Sequence, residues 1–348
     1  MNTKQPALYG GPAVRDERIP IFRLELTPGD QQAVQMVLES GQIARGPMRN
    51  RWERAFADYA RCRQAVALSS GTAALHVGMR LLDLEPGAEV IVPSLTFIAT
   101  AQVIEHCGLM PVFTEIDPIT LNIDAEDIAR RITPRTRAIL PVHYAGRLVH
   151  LSDIADISNQ HGLAVVEDAA HALGIRLGDP LRRHERWLTA FSFFATKHIT
   201  AGEGGMLCCE DDELATRARR LRAHGLSPLS DGPRTSGYYD AGELGWNYHV
   251  SELGSALALS QLPRLDEINR QRVSAANALS DRLADLDTVQ LPQQSLTVDG
   301  EHLHHIYSIR LRLENLTVDR DTFVETLLAE GIQARVFYPP IHQFSYYK

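Results

Sequence analysis

Seven short apolar runs punctuate the chain, at 65–68, 90–92, 110–113, 138–142, 164–166, 188–193 and 206–209. Their lengths suit strands rather than helices, and segments with helical periodicity lie between most of them. Unbroken apolar runs fit strands buried on both faces. The alternation therefore predicts an α/β protein: a mainly parallel seven-stranded sheet sandwiched by helices. Ligands in such folds bind beyond the carboxyl ends of the strands.

The flanks read differently. A Pro- and Gly-punctuated arm (1–28) leads into helical patterns over 30–40 and 47–59. After the last apolar run, a helix with the acidic start DDEL closes near Gly225, and the polar stretch 226–245 reads as a mobile or interface loop. Helical patterns at 251–262 and 264–286 follow, separated by Pro263. A strand is expected near 306–313, a helix near 321–329 and a strand near 333–337. The predicted organisation is an arm (1–28), a large domain (29–262) and a smaller C-terminal α+β domain (263–348), without internal repeats.

Composition narrows the function. Hydrophobic residues at 44% and charged residues at 22% describe a chain that folds around a core. A formal net charge of −8 offers no electrostatic footprint for nucleic acid or an anionic membrane. No apolar run approaches the ~20 residues of a bilayer span, and the N-terminus lacks the apolar core of a signal peptide, so the protein reads as cytoplasmic. The four cysteines form no CxxC pair and read as free thiols, with no metal site implied. Lysine usage changes the picture more: of 35 basic residues only Lys4, Lys197 and Lys348 are lysines. Arginine cannot replace lysine where a deprotonated primary amine must attack a carbonyl, which makes the one interior lysine a candidate nucleophile.

Four segments carry candidate chemistry. In AVALSSGTAAL a strand runs through Ser69 and Ser70 into a helix opening at Gly71 and Thr72. Free amides and a positive helix end there suit a phosphate, although the same residues serve equally as a plain helix cap. No P-loop lysine and no GxGxxG pattern accompany it, which weakens ATP and dinucleotide readings. In LAVVEDAAH, Asp168 stands at the expected carboxyl edge of a strand, where a carboxylate can bond a protonated pyridine nitrogen or simply cap the next helix. His171, a helical turn on, is placed to orient the carboxylate or a ring. In AFSFFATKHITAGEGGML, Ser192 can bond a phosphate while Lys197 reaches an aldehyde, ahead of a glycine-rich turn. In PSLTFIAT, Phe97 follows a strand and can stack on a planar ring or join the core.

Together these supply a phosphate cradle, a pyridinium partner, a ring shelf and an amine. The segments SGTAAL, VPSLTFIAT, PVHYAG, VEDAAHALG, FSFFATKHITAGEGGM and LGWNYHVSELGSALALSQL resemble the DegT/DnrJ/EryC1/StrS sugar aminotransferases, within fold-type I pyridoxal-phosphate enzymes. The resemblance runs from about Gly41 to the end of the chain. It implies pyridoxal 5'-phosphate as cofactor, with pyridoxamine 5'-phosphate as its alternate form, held by Lys197 as a Schiff base. It also implies Asp168 on the ring nitrogen, Phe97 stacked on the ring, His171 beside it, and Gly71, Thr72 and Ser192 on the phosphate. Asn247 matches a residue that reaches the phosphate of the neighbouring subunit, so a homodimer with shared active sites is expected. The segment YPPIHQFSYY resembles the family's substrate side, which makes His342 and Tyr338 candidate contacts.

Two departures stand out. The third residue before the lysine, often His or Tyr in the family, is Phe194 here. The sequence stops at FSYYK, where relatives usually continue through another strand and helix, so either the tail is missing from this sequence or the C-terminal domain is shortened. The function implied is transfer of an amino group from an amino acid, with L-glutamate the expected donor, to a keto sugar expected to be nucleotide-linked. The alternatives are a dehydratase-type relative, in which histidine replaces the lysine, and a non-catalytic regulator on the same fold.

Overall fold

The computed structural model describes residues 5–179, 181, 186–228, 239–293 and 302–348. All seven apolar runs form strands: β1 (Gln64–Leu68), β2 (Glu89–Pro93), β3 (Met110–Thr114), β4 (Thr136–Ile139), β5 (Ala164–Asp168), β6 (Trp187–Ser192) and β7 (Gly205–Cys209). They make one sheet in the order β1-β7-β6-β5-β4-β2-β3. Pairing is parallel from β6 to β3, while β7 runs antiparallel to both β6 and β1. That exception follows from the connection: β6 and β7 are joined by a turn without a crossover helix, and such a link returns the chain antiparallel.

The helices are α1 (Pro28–Ser40), α2 (Pro47–Ala60), α3 (Gly71–Leu81), α4 (Ile98–His106), α5 (Ala125–Arg131), α6 (Leu151–His161), α7 (Asp212–Leu221), α8 (Glu252–Gln261), α9 (Leu265–Leu283) and α10 (Arg320–Ala329). Strand alternation divides them between the two faces. On one face Val66, Leu68, Val90, Val92, Val166, Leu188 and Leu207 pack against α3, α4 and α7. On the other, Ala65, Ala67, Phe191 and Met206 meet Trp52 and Phe56 of α2 and Ala258 of α8, and Ile91, Ile139, Val165 and Trp187 meet Ile128 of α5 and Ile154 of α6. Both faces being covered explains why the strands read as unbroken apolar runs.

The C-terminal expectations need two corrections. The strand expected over 306–313 shrinks to Arg310–Leu311, because its antiparallel partner, Val289–Gln290, is equally short. Residues 333–337 form no strand at all. The N-terminal arm pairs there only briefly, through the Ile19 amide to the Gly331 carbonyl (2.8 Å) and the Gln333 amide to the Ile19 carbonyl (3.1 Å). Beyond that the chain is drawn inward by the Tyr144 hydroxyl, which donates to the Phe337 carbonyl, and Pro339 and Pro340 offer no amide to extend a ladder. The polar stretch 226–245 opens and closes as a short antiparallel pair, Leu226–Pro228 with Tyr239–Ala241, and its centre lies outside the described residues. Among the described residues no helix is long and apolar enough to cross a membrane, and no group of His, Cys, Asp and Glu could hold a metal ion.

Candidate active site

Two adjacent acids end β5, and the pleat separates them. Glu167 points to the α5–α6 face, where it accepts from Trp187 Nε1 (2.6 Å) and Thr189 Oγ1 (2.9 Å) and sits 2.7 Å from His143 Nε2. Those contacts occupy it inside the core. Asp168 points to the α3–α4 face. Its Oδ1 accepts from the Ala170 amide (3.0 Å) and its Oδ2 from Thr100 Oγ1 of α4 (2.8 Å). Thr96 Oγ1 lies 2.9 Å from Thr100 Oγ1. The single Thr100 proton is spent on Asp168, so Thr96 donates to Thr100 and the two hydroxyls form an oriented chain ending on the carboxylate. Burial pushes the Asp168 carboxyl above its ordinary range, while the Ala170 amide, the Thr100 hydroxyl and the Lys197 charge act in the opposite direction.

Ser192 ends β6 with the same parity as Leu188 and Ala190, so it too faces α3. It meets the start of that helix closely. A Cβ built on Gly71 would lie 2.7 Å from Ser192 Cβ and 3.1 Å from its Oγ, so only glycine fits. Ser70 caps α3 through its side chain, which accepts from the Ala73 amide (3.1 Å). The first amides of a helix have no intrahelical acceptor, so the ends of β1 and β6 meet at an anion-ready helix start. Thr72 lies exposed on the first turn.

Lys197 follows in the β6–β7 turn, where its amide donates to the Phe194 carbonyl (2.9 Å). The backbone turns at Gly202, whose φ of +79° lies in the left-handed region. Burial lowers the Lys197 amine from its ordinary value to about 8, against the opposing pull of Asp168. Lys197 Nζ lies 3.4 Å from His305 Nε2, whose ring is 4.6 Å from that of His171, three residues past Asp168, and the amine and the carboxylate act on each other's charge. Phe97, at the head of α4, remains 53% exposed, an aromatic face open to the pocket. The His171 ring lies buried, its Nε2 3.2 Å from the Tyr338 hydroxyl, and Tyr338 stacks with it at 6.1 Å and 20°. Tyr338 also approaches Phe97, with ring centroids 5.9 Å apart. Burial holds the His171 imidazole well below its ordinary range, and the Lys197 and His198 charges act the same way.

Lys197, Asp168, His171, Phe97, Ser192, Gly71 and Tyr338 therefore gather at the carboxyl ends of β1, β5 and β6 and the mouth of β2. His342 lies exposed on the turn Ile341–Gln343, which is anchored by the Ile341 amide on the Ser94 carbonyl (2.9 Å). Asn247 is exposed on a segment alongside the β1–α3 turn, where the Tyr248 carbonyl accepts from the Ser69 amide (2.8 Å). Sequence reasoning passed over Thr100 and His305. Thr100 lies in the first turn of α4 and Thr96 just before its N-cap Phe97, so their contact depends on how the chain enters the helix. His305, whose Nε2 is 3.4 Å from Lys197 Nζ, lies 108 positions away in the chain, and no local pattern joins the two.

The model of the DegT/DnrJ/EryC1/StrS aminotransferase family matches residues 25–348. The chain belongs to this family. Its fold is shared with PseC of Helicobacter pylori, an aminotransferase in the biosynthesis of pseudoaminic acid (TM-score 0.87, 28% identity, covering 95% of this chain and 87% of that one). It is likewise similar to the aminotransferase TlmJ from Streptoalloteichus hindustanus (TM-score 0.85, 31% identity, 95% and 87%). A third similar structure is S. venezuelae DesV in complex with a ketimine intermediate (TM-score 0.84, 32% identity, 95% and 86%). The protein is a pyridoxal-phosphate-dependent aminotransferase.

The residues present fit that cofactor. A carboxylate offers about four acceptor positions, and the two bonds described for Asp168 leave capacity for a ring nitrogen. The cradle at Gly71 leaves no space for a side chain against Ser192, and a primary amine stands in the same pocket.

Proposed function

We propose that this aminotransferase moves an amino group from an amino acid, L-glutamate, to a keto sugar carried on a nucleotide. The observation that carries the reading is the gathering of one primary amine, one buried carboxylate and one helix start at the carboxyl edge of the sheet in a DegT/DnrJ/EryC1/StrS family member. Similar structures named as a sugar aminotransferase, CalS13 from Micromonospora echinospora, and as DesI with its TDP-sugar product support the acceptor class.

Bound pyridoxal phosphate supplies an electron sink for charge developing on the substrate carbon. Lys197 would hold the cofactor through its amine, and with that amine free Nζ would take and return a proton at the substrate carbon as general base and acid. Asp168 would bond the ring nitrogen and favour its protonated form, and the Thr96–Thr100 hydroxyls hold that carboxylate in place. The Gly71 and Thr72 amides and the Ser192 hydroxyl bind the phosphate, Phe97 and His171 flank the ring, and Tyr338 and His342 face the substrate. Asn247, exposed on its own chain, reaches the phosphate of a partner copy, which makes the active unit a homodimer. Lys197 in the anchoring position favours transamination over the dehydratase-type reading, which puts histidine there.

The deciding experiment mixes the protein with pyridoxal phosphate, glutamate and a panel of nucleotide keto sugars, read by mass spectrometry. An amino sugar is expected. A deoxygenated sugar would establish the dehydratase reading instead, and no product from any sugar of the panel would overturn the nucleotide-linked acceptor. Lys197→Ala and Lys197→Arg should lose both the visible absorbance of the bound cofactor and turnover, and retained activity in either would remove Lys197 from its role.

A further inference from the structure

His305 is the described hydrogen-bond partner of the Lys197 amine, with Nε2 3.4 Å from Nζ. Its ring is wedged between two other imidazoles, 4.6 Å from His171 and 5.2 Å from His198 by ring centroids. On its far side Nδ1 is buried without a hydrogen-bond partner. These contacts restrict what the ring can do. A buried bare lone pair is tolerated better than a buried N–H lacking an acceptor, so Nδ1 is the unprotonated nitrogen and Nε2 carries the hydrogen. An Nε2–H directed at Nζ needs a lone pair on the amine, and only neutral lysine has one.

We infer that His305 is a positioning residue for the proposed cofactor lysine: its Nε2–H holds the released Lys197 amine in place and in its neutral form. This rests on the reading of Lys197 as the anchoring amine. The surroundings agree. Burial keeps His305 itself well below its ordinary range, reinforced by His171, Lys197, His198 and Arg272. Among the described residues Asp168 is the charged group that favours a protonated lysine. Protonating Lys197 would turn the Nε2–H against an ammonium, or force the His305 proton onto Nδ1, where nothing accepts it. The amine that must act as a base is thus restrained by a ring that cannot readily take the proton from it.

The chain's three lysines, Lys4, Lys197 and Lys348, make the test direct. Full-length protein carrying isotope-labelled lysine, loaded with pyridoxamine phosphate so that the Lys197 amine is unbonded, is titrated by NMR. The wild-type Lys197 midpoint is expected below the ordinary lysine value, as burial dictates. His305→Leu, which keeps bulk without a donor, should raise it by roughly one unit, a tenfold loss of neutral amine at pH 7, and His305→Gln, which retains a donor, should stay near wild type. An unchanged or lowered midpoint in folded His305→Leu overturns the inference. Should that variant not fold, the tautomer of His305 in the unaltered protein decides by nitrogen NMR. A hydrogen on Nε2 above the lysine midpoint supports the inference, and one on Nδ1 overturns it. The anchoring role is scored separately, by borohydride reduction of the pyridoxal phosphate form and the mass of the Lys197 peptide, so failure of one reading leaves the other measurable.

Discussion

Replacing Thr100 by Val removes one hydroxyl and leaves a side chain of similar shape. Thr100 is completely buried, so no water replaces the lost donor to Asp168 Oδ2 at 2.8 Å, and Thr96 loses its partner at 2.9 Å in the same step. A hydrogen bond to a charged group contributes about 1.5–3 kcal/mol, more than a neutral pair because the acceptor carries full charge. Burial already pushes the Asp168 carboxyl upward, and losing this donor pushes it further, weakening the negative charge available to the ring nitrogen it is proposed to hold. If that deficit falls on cofactor binding, affinity for pyridoxal phosphate drops by about tenfold to a hundredfold, since ~1.4 kcal/mol is a factor of ten. Equilibrium dialysis against graded pyridoxal phosphate measures it, with the pH dependence of the bound cofactor's absorbance as a second readout. Thr100→Ser keeps the donor and should recover most of the loss. A folded Thr100→Val protein that binds the cofactor within twofold of wild type, with an unmoved pH profile, would refute the hydroxyl chain as a support for Asp168.

Gly71→Ala places a methyl 2.7 Å from Ser192 Cβ, and the resulting overpacking should cost about 1–3 kcal/mol and loosen phosphate binding. Thermal melts with inorganic phosphate as competitor test it, and an unaltered melt with unaltered phosphate competition would contradict the cradle. Acid stability follows from the buried histidines. Burial lowers His198 to about 3 and His304 to about 4, and holds His171 well below the ordinary value. Their folded values lie below the unfolded one, so the unfolded chain binds more protons below pH ~6.5, and stability present at neutral pH is lost as pH falls from there toward the folded values. Each such histidine contributes a slope of up to about 1.4 kcal/mol per pH unit. Denaturant unfolding at pH 7 and 5 should show a loss of several kcal/mol, and a flat profile would contradict the neutral, buried imidazoles. Asp168→Asn should cut turnover far more than substrate binding, as steady-state kinetics will read: its single amide oxygen can accept from the Ala170 amide, but an uncharged NH2 replaces the Oδ2 that accepts from Thr100, and the negative charge is gone.

The strand runs were legible because the sheet is covered on both faces, which writes each strand into the sequence as an unbroken apolar segment. The SGTAAL cradle and the lysine turn were legible for a similar reason: a glycine forced by a 2.7 Å approach and a primary amine that arginine cannot replace are constraints on residue type. The short C-terminal strand and the missing one at 333–337 were not, since pairing there depends on what the N-terminal arm and the Tyr144 hydroxyl do, and these are remote in the chain.

Residue types and their spacing determined the α/β class and the order of strands and helices, and marked Lys197 and Asp168 as the candidate amine and carboxylate. Tertiary structure decided which groups surround them. The pleat sent Glu167 into the core and left Asp168 for the pocket, α4 brought Thr100 to the carboxylate, and a segment 108 positions downstream brought His305 to the amine. Contacts between distant segments leave no periodicity in a sequence, because each is set by how whole elements pack and not by the residues on either side.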